Sequence, residues 1–316
     1  MHTKTFGCAL LDGKGTTVVK RRCFLKLAAL TAVLYPVAAP ASIRPLITPS
    51  KKKTVYGPVA VRYLGEQSFP VKRMVDYRIK DYLMKIRHPD AIHREDIYLD
   101  AAEKLMLNDI VERFERLMTT IGHGNFAIVG FDDALSYAEK HPKIGSFTAK
   151  EIAFLEMIFY REATDYGFYG RKQVTELSQE INRKEVVKIP HSGNFLFKGD
   201  ARVKYEKIKR ALGKEVVLTS GIRGLVKQFY LYLHKANRHD GNLSLASRSL
   251  APPGYSYHAT GDFDIGQVGL GEDNFSEKFT HTPVFKKLAE QGYVEYRYQR
   301  DNLLGVRYEP WHVKLQ

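Results

Sequence analysis

The sequence predicts an α+β protein, in which a mainly helical region precedes a small antiparallel sheet flanked by helices. Between residues 92 and 185, apolar residues recur at the three- and four-residue spacing of an amphipathic helix. After about residue 200, helical patterns alternate with short β-branched runs, which are typical of strands. Hydrophobic residues make up 44% of the chain and charged residues 27%, values that exclude a wholly disordered chain and a multi-span membrane protein.

The first 41 residues predict an export signal. The pair Arg21-Arg22 precedes an apolar stretch, residues 27–34, and a small-residue cleavage site at residues 39–41. This order resembles a twin-arginine signal, although Lys20 stands where Ser or Thr is usual. The apolar stretch is far shorter than the about 20 residues of a membrane-spanning helix. We therefore expect export by the twin-arginine route, a periplasmic or extracellular location, and no stable membrane span once the signal is cleaved.

The charge and the cysteines restrict the possible partners and sites. The formal net charge of +14 favours anionic partners. Export argues against nucleic acid, so cell-wall polymer, which is rich in carboxylates, is the better candidate. The two cysteines, Cys8 and Cys23, both lie in the predicted signal, which excludes a disulfide scaffold and a cysteine-based zinc site. Any metal site must therefore be built from His, Asp and Glu.

Residues 42–190 are predicted to be a mainly helical region of unknown role, which is also where a protein partner could bind. Its first part, residues 42–75, has the composition of an irregular lead-in. A glycine-containing break at Gly122 is expected to end the first long helix, and Thr148 with Glu151 forms the capping pattern of another. The apolar face of the first helix consists of Leu107, Ile110, Val111, Phe114, Leu117 and Met118.

Residues 191–316 are predicted to be a separate domain, and its helices have clear start and stop signals. Asp200 is expected to cap a helix that ends at Gly213. Thr282 followed by Pro283 predicts the start of another helix, which Gly292 should close.

The strands of this domain are predicted from two patterns. Residues 216–219 form a β-branched run that is typical of a buried strand. Residues 293–298 alternate as a half-buried strand does, and a last strand is expected around residues 306–308.

The candidate chemistry concentrates in three short segments of this domain. His258, Asp264 and His312 supply two imidazoles and one carboxylate, a set that leaves one position of a catalytic zinc ion open to water. The same ligand types also suit iron or another divalent ion. Glu309 lies close to His312 in the sequence and is a candidate general base. Pro310 makes a helix through these two residues unlikely to form, so the segment must bend for both side chains to reach one metal ion.

Arg223, directly after the predicted strand, has a different chemical role. Amide hydrolysis builds negative charge on the carbonyl oxygen, and a fixed guanidinium can stabilise that charge. The same group can bind a substrate carboxylate with two hydrogen bonds.

Together these segments resemble a known family. The pattern Ser-x-His-x-x-Gly followed by Asp, then Glu-Pro-Trp-His, with Ser-Gly-x-Arg upstream, is similar to the zinc D-alanyl-D-alanine carboxypeptidases of the vancomycin-resistance type, which belong to the LAS group of peptidoglycan peptidases. The resemblance covers about residues 200–316. It implies a LAS-type zinc peptidase domain that hydrolyses peptidoglycan stem peptides.

The resemblance also implies a role for each site residue. His258, Asp264 and His312 would be the zinc ligands, and Glu309 would be the general base. Arg223 would bind the substrate carbonyl and carboxylate. Ser256, Trp311 and Gln228 would be the substrate-binding residues.

Two departures from the family pattern bear on these roles. Only two residues separate the motif Gly261 from Asp264, whereas the family usually has three, so Asp262 is an alternative second ligand. Asp264 is preferred because Ile265 and Gly266 match what normally follows the ligand. In addition, Ile222 and Gly224 replace the Tyr and Ser that commonly flank the arginine, which would alter the substrate pocket.

We therefore expect an exported zinc metallopeptidase, foremost a D,D-carboxypeptidase. The alternatives are a peptidoglycan endopeptidase of the same fold and a non-catalytic cell-wall-binding protein. The intact Glu309 argues against the second alternative.

Overall fold

The computed structural model describes residues 10–11, 17–18, 81–292 and 295–315. Contacts divide the chain into two units, Met1–Glu66 and Gln67–Gln316. In the first unit, strands β1 (Leu10–Leu11) and β2 (Thr17–Val18) form an antiparallel pair. The predicted cleavage site and the predicted lead-in lie outside the described residues.

The region before residue 190 is helical over residues 81–87 and in four further helices. These are α1 (Ala101–Ile121), α2 (His123–Ile128), α3 (Phe131–Lys140) and α4 (Ala149–Tyr160). Thr148 and Glu151 form the predicted capping box of α4, because each side chain accepts a hydrogen bond from the other residue's backbone N–H. Gly122 ends α1 with φ 82°, as predicted, although α2 begins at the next residue.

The helical prediction extends too far towards residue 185. Beyond α4 only two short 3-10 turns form, at Ala163–Tyr166 and Arg183–Glu185. The first turn ends at Gly167, whose left-handed φ of 83° does not continue a right-handed helix.

The region after residue 190 contains four helices around a small sheet. They are α5 (Asp200–Leu212), α6 (Leu225–Arg238), α7 (Leu243–Ser247) and α8 (Pro283–Gln291). The stop signals at Gly213 and Gly292 and the Thr282 cap of α8 are as predicted. The cap of α5 is Gly199, so the prediction of Asp200 was wrong by one residue and Asp200 is the first helical residue.

Five short strands lie among the described residues from 186 to 313. A hairpin joins β3 (Val186–Lys188) to β4 (Phe195–Phe197), and a three-stranded antiparallel sheet has the order β5-β6-β7. Its strands are β5 (Val216–Ser220), β6 (Phe263–Gln267) and β7 (His312–Val313). The first of these confirms the strand predicted at residues 216–219, and the mixture of helices and small antiparallel sheets confirms the α+β class.

Two predicted strands are absent from the described residues. At 306–308 no strand forms, because the Arg307 N–H donates to the carbonyl of Arg248, outside the sheet. Among residues 295–298, the described part of the second pattern, Tyr296 alone pairs, in an isolated bridge to Val313. The last strand of the sheet comes later than predicted, at His312.

Two large apolar cores and two smaller apolar clusters stabilise the described part of this unit. The larger one joins α1 and α4 to α6 and includes Phe114, Phe159 and Phe229, all almost completely buried. Burying one such ring contributes about 1.5 to 3 kcal/mol. The second core lies between the three-stranded sheet, α5 and α8. The larger core continues across residue 190, where the sequence predicts a domain boundary, and that boundary stays a prediction.

Within the described ranges, every helix is too short or too polar to cross a membrane.

Candidate metal centre

The fold brings the three predicted metal ligands together. Asp264 lies in β6 and His312 in β7, and the two are direct partners in the antiparallel ladder. Directly opposed residues point to the same face of a sheet, so their side chains meet. His258 comes from the 3-10 turn Tyr257–Ala259. One nitrogen or oxygen atom of each residue lies within 4.8 Å of the others, and all three side chains are buried.

The atoms that converge are suited to a divalent metal ion. Oδ1 of Asp264 lies 3.3 Å from Nε2 of His258 and 3.3 Å from Nδ1 of His312. Zinc bonds of about 2.0 to 2.2 Å in a tetrahedron place ligand atoms about 3.3 to 3.6 Å apart. Nε2 of His258 and Oδ1 of Asp264 are buried and have no hydrogen-bond partner. Since buried polar atoms are nearly always satisfied, these two point to a missing ligand.

The opposite nitrogen of each imidazole has an acceptor. Nδ1–H of His258 donates to the carbonyl oxygen of Gly221 over 2.8 Å, which leaves the lone pair of Nε2 for a metal. Nε2 of His312 lies 3.0 Å from Oδ2 of Asp262. Such outer acceptors fix the tautomer and orientation of metal-binding histidines.

Asp262 therefore occupies a different place from Asp264. Its carboxylate binds His312 on the side away from the converging atoms, and it also accepts hydrogen bonds from Arg297 and from the backbone N–H of Leu315. The geometry thus brings Asp264, and not Asp262, to the candidate metal position.

Glu309 lies at the edge of the same site. The chain turns at Pro310, where the His312 N–H donates to the Glu309 carbonyl over 3.2 Å, which supplies the bend that the sequence requires. Oε2 of Glu309 then lies 3.4 Å from Nδ1 of His312. A second hydrogen bond, from the Glu309 N–H to the carbonyl of Tyr298, fixes the backbone. The carboxylate is thereby placed beside the ligand atoms.

The charges around the site put two of the three candidate ligands, His258 and Asp264, in the protonation state that binds a metal ion. Burial and the charge of Arg223 lower the pKa of His258 to about 4, so its imidazole is neutral at pH 7. Burial opposes ionisation of Asp264, but the charges of His258 and Arg223 outweigh it and hold the pKa of that carboxyl well below its usual range. Although burial acts in the opposite direction, hydrogen bonds to Asp262 and Glu309 raise the pKa of His312 to about 9. His312 must therefore lose a proton when it binds a metal ion.

Arg223 is held beside the metal ligands. Its Nε donates to Oγ of Ser220 over 2.9 Å, and its Nη2 donates to Oδ2 of Asp264. One oxygen of Asp264 thus binds the guanidinium, while the other faces the histidines. Gln228 connects two backbone segments. Its Nε2 donates to the carbonyl of Arg223, and its Oε1 accepts from the N–H of Gly254. Both ends of this amide are used, which favours a positioning role over the predicted contact with substrate.

The other two predicted substrate contacts are buried. Ser256 caps the 3-10 turn that carries His258 and is 7% exposed. Trp311 is 2% exposed and packs edge-on against Phe275, with the Arg307 guanidinium over its ring. Both residues support the site from inside the fold.

Sequence reasoning missed Arg297 and the carbonyl of Gly221. Arg297 pairs with Asp262 and lies 3.6 Å from the ring centre of Tyr257, next to His258. Nothing in the local sequence around residue 297 signals this contact, because the partner residues are 35 and 40 positions away. The Gly221 carbonyl could have been suspected only from its place beside the Ser-Gly-x-Arg segment.

Comparison with known proteins connects this part of the chain to one family. Residues 201–315 match the family model described as VanY, D-alanyl-D-alanine carboxypeptidase. The matched segment contains all the converging residues, Arg223 and Glu309. No curated protein matches the chain significantly.

Two solved structures are similar to part of the chain. One is the structure of the LdcB LD-carboxypeptidase, which reveals the molecular basis of its peptidoglycan recognition. The two sequences are 21% identical over a match that covers 42% of this chain and 69% of the LdcB chain, with a TM-score of 0.36. The other shows a mutant of the vancomycin-resistance D,D-pentapeptidase VanY, from a VanB-type resistance cassette, in complex with Zn(II). The two sequences are 24% identical over a match that covers 40% of this chain and 76% of the VanY chain, with a TM-score of 0.34.

Proposed function

We propose that the protein is an exported zinc peptidase that hydrolyses peptidoglycan stem peptides, acting as a D-alanyl-D-alanine carboxypeptidase. The observation that carries the proposal is the convergence of one atom each from His258, Asp264 and His312 next to the carboxylate of Glu309. The match of residues 201–315 to the VanY family model supports the substrate class.

His258, Asp264 and His312 would hold the metal ion, and their donor set fits zinc. When bound there, zinc supplies an electrophile that acidifies water and polarises a peptide carbonyl. Glu309 accepts the proton of the attacking water on its carboxylate and delivers it to the leaving amine nitrogen. Its buried, backbone-fixed position keeps this carboxylate at the reacting atoms.

Arg223 stabilises the negative charge that develops on the carbonyl oxygen. The hydrogen bonds to Ser220 and Asp264 hold its guanidinium in one orientation, so little reorganisation is needed during the reaction. The same bond to Asp264 keeps that ligand ionised and oriented.

The test is digestion of purified muropeptides by the zinc-loaded protein and by the Glu309→Ala variant. We expect the wild type to release one alanine, and the variant to bind zinc but lose about 10²- to 10⁴-fold in turnover. Cleavage that survives the substitution would refute the role of Glu309. Release of two larger fragments would instead identify an endopeptidase, and binding to sacculi without any product would identify a wall-binding protein.

Export is tested separately. The pair Arg21-Arg22 is proposed to direct the chain through the twin-arginine route to the periplasm or beyond. Replacing both residues with lysine should retain the protein inside the cell, as cell fractionation would show. Unchanged export would contradict this route.

A further inference from the structure

Arg307 lies two residues before Glu309, and its side chain is fixed by several contacts. Its backbone N–H donates to the carbonyl of Arg248 over 2.8 Å, and Nη2 of its guanidinium donates to the carbonyl of Phe275 over 3.1 Å. The guanidinium also lies over the ring of Trp311, with Cζ 5.1 Å from the ring centre. The side chain is therefore placed by contacts other than Glu309.

One nitrogen of this guanidinium is buried without a hydrogen bond. Although the Arg307 side chain as a whole is 28% exposed, its Nε is buried and has no hydrogen-bond partner among the described residues. Nε lies 4.0 Å from Oε1 of Glu309, whereas N–H···O hydrogen bonds span about 2.7 to 3.2 Å. Buried N–H groups are nearly always satisfied, so an unused donor this close to a carboxylate indicates a bond that forms in another state of the site.

The two carboxylate oxygens of Glu309 face different groups. Oε2 lies 3.4 Å from Nδ1 of His312, and Oε1 faces Arg307. Nδ1 of His312 also lies 3.3 Å from Oδ1 of Asp264, while Nε2 of the same ring faces Asp262, so Nδ1 is the nitrogen left for a metal ion. A nitrogen that binds a metal ion carries no proton and donates no hydrogen bond. Glu309 then loses His312 as a donor, and Arg307 remains beside the other oxygen.

We propose that Arg307 is a positioning residue for the general base, in which Nε binds Oε1 of Glu309 and holds the other carboxylate oxygen towards the reacting atoms. The inference rests on the proposed function, because it adds a residue to the same site. A carboxylate that turns freely is seldom oriented towards the proton it must accept, and a fixed second hydrogen bond removes that freedom. Closing the distance from 4.0 Å to a hydrogen bond needs a movement of only about 1 Å. Arg307 acts through Glu309 and does not touch the substrate.

The experiment compares Arg307→Met with Arg307→Lys, which keeps the charge but has a methylene where Nε lies. Arg300→Met is the matched control, because the Arg300 guanidinium also lies over a neighbouring ring, that of Tyr308, and pairs with a different acid, Glu277. Each variant is made in the wild type and in Glu309→Gln. Cleavage of a stem peptide ending in D-alanyl-D-alanine gives kcat and KM, a chelator titration gives the zinc affinity, and urea unfolding of the metal-free protein gives the stability.

We expect Arg307→Met to lower kcat about 10- to 100-fold, the cost of a catalytic group misplaced by about 1 Å. KM and zinc affinity should stay at the wild-type values, Arg307→Lys should recover part of kcat, and the control should behave as the wild type. In Glu309→Gln, Arg307→Met should lower kcat little further, because the base that it positions is gone. The two charges already lie 4.0 Å apart in the metal-free protein, so the effects of the two substitutions on its unfolding equilibrium should depart from additivity by about 3- to 10-fold.

Four results would overturn the inference. These are an unchanged kcat in Arg307→Met, an equal loss of kcat with and without Glu309, a loss that is matched by KM, zinc affinity or the control, and additive effects on unfolding. If Arg307→Met does not fold, Arg307→Lys tests the role of Nε, and full activity of that variant would overturn the inference. A wild type that cleaves no stem peptide but shows the coupling in unfolding would instead overturn the proposed reaction and keep the contact between Arg307 and Glu309.

Discussion

Asp262→Asn should weaken zinc binding about 10- to 100-fold without abolishing it, the usual cost of losing an outer partner of a metal-binding histidine. The Asp262 carboxylate lies 3.0 Å from Nε2 of His312 and also accepts from the Leu315 N–H over 3.0 Å. Asparagine keeps one acceptor oxygen but removes the negative charge that orients the imidazole. The loss corresponds to about 1.4 to 2.7 kcal/mol of binding free energy.

The pH of the assay decides how much of this loss is seen. Asp262 and Glu309 raise the pKa of His312 to about 9, so below that pH a proton competes with the metal ion in the wild type. Asp262→Asn removes part of this competition from the proton. The difference in zinc affinity between the wild type and Asp262→Asn should therefore be smaller at pH 7 than at pH 9. A titration against a chromophoric chelator at pH 9 measures the full effect.

Two variants make the result decisive. Asp264→Asn removes a direct ligand and should lose more affinity than Asp262→Asn. Asp273→Asn, at a half-exposed residue whose carboxylate pairs with Lys278, should lose none. Equal affinity of Asp262→Asn and the wild type at pH 9 would refute the outer-partner role. Complete loss in Asp262→Asn with retained binding in Asp264→Asn would make Asp262 the ligand.

Three further predictions concern stability. Gly221→Ala should lower the free energy of unfolding by at least about 2 kcal/mol in urea titrations, because the added Cβ would lie 2.0 Å from the carbonyl oxygen of Phe195; wild-type stability would contradict this clash. Burial opposes ionisation of Glu151, but hydrogen bonds from Thr148 and Arg113 outweigh it and lower the pKa of this carboxyl from 4.5. The ionised Glu151 therefore stabilises the fold above pH 4.5, and this stabilisation is lost as the carboxylate becomes protonated at lower pH. Glu151→Gln should accordingly cost about 1 to 3 kcal/mol at pH 7 and less at pH 3.5, and an equal cost at both would refute the assignment. Zinc at 100 times its dissociation constant should stabilise the protein by about 2.7 kcal/mol in thermal unfolding, reversibly with chelator, whereas a shift of the same size in His258→Ala would place the metal elsewhere.

The features that depend on neighbouring residues were predictable from the sequence. The capping box of Thr148 and Glu151 and the start of α8 at Thr282 each involve atoms within a few positions of one another. The residue pattern placed the last strand at 306–308 and not at His312, because His312 and Val313 carry no periodic pattern. The observed strand exists only because His312 and Val313 pair with β6, some 50 positions earlier.

The candidate metal ligands were predictable by residue type, but Asp264 could be preferred over Asp262 only through the family resemblance. Asp262 and Asp264 are two positions apart, so in extended chain they share a face and local pattern cannot separate them. The pairing of Asp264 with His312 in the sheet brings it to the converging atoms, and Arg297 draws Asp262 to the far side of the ring.

Helix α6 is the element that the two parts of this unit share. Its apolar face, including Phe229, belongs to the same core as α1 and α4, while Gln228 near its start donates to the carbonyl of Arg223, whose guanidinium binds Asp264. The candidate metal ligands instead belong to the sheet and to the 3-10 turn Tyr257–Ala259. A displacement of α1 or α4 would therefore reach Gln228, whose amide ties the Arg223 carbonyl to the N–H of Gly254, before it reached the sheet that carries Asp264 and His312.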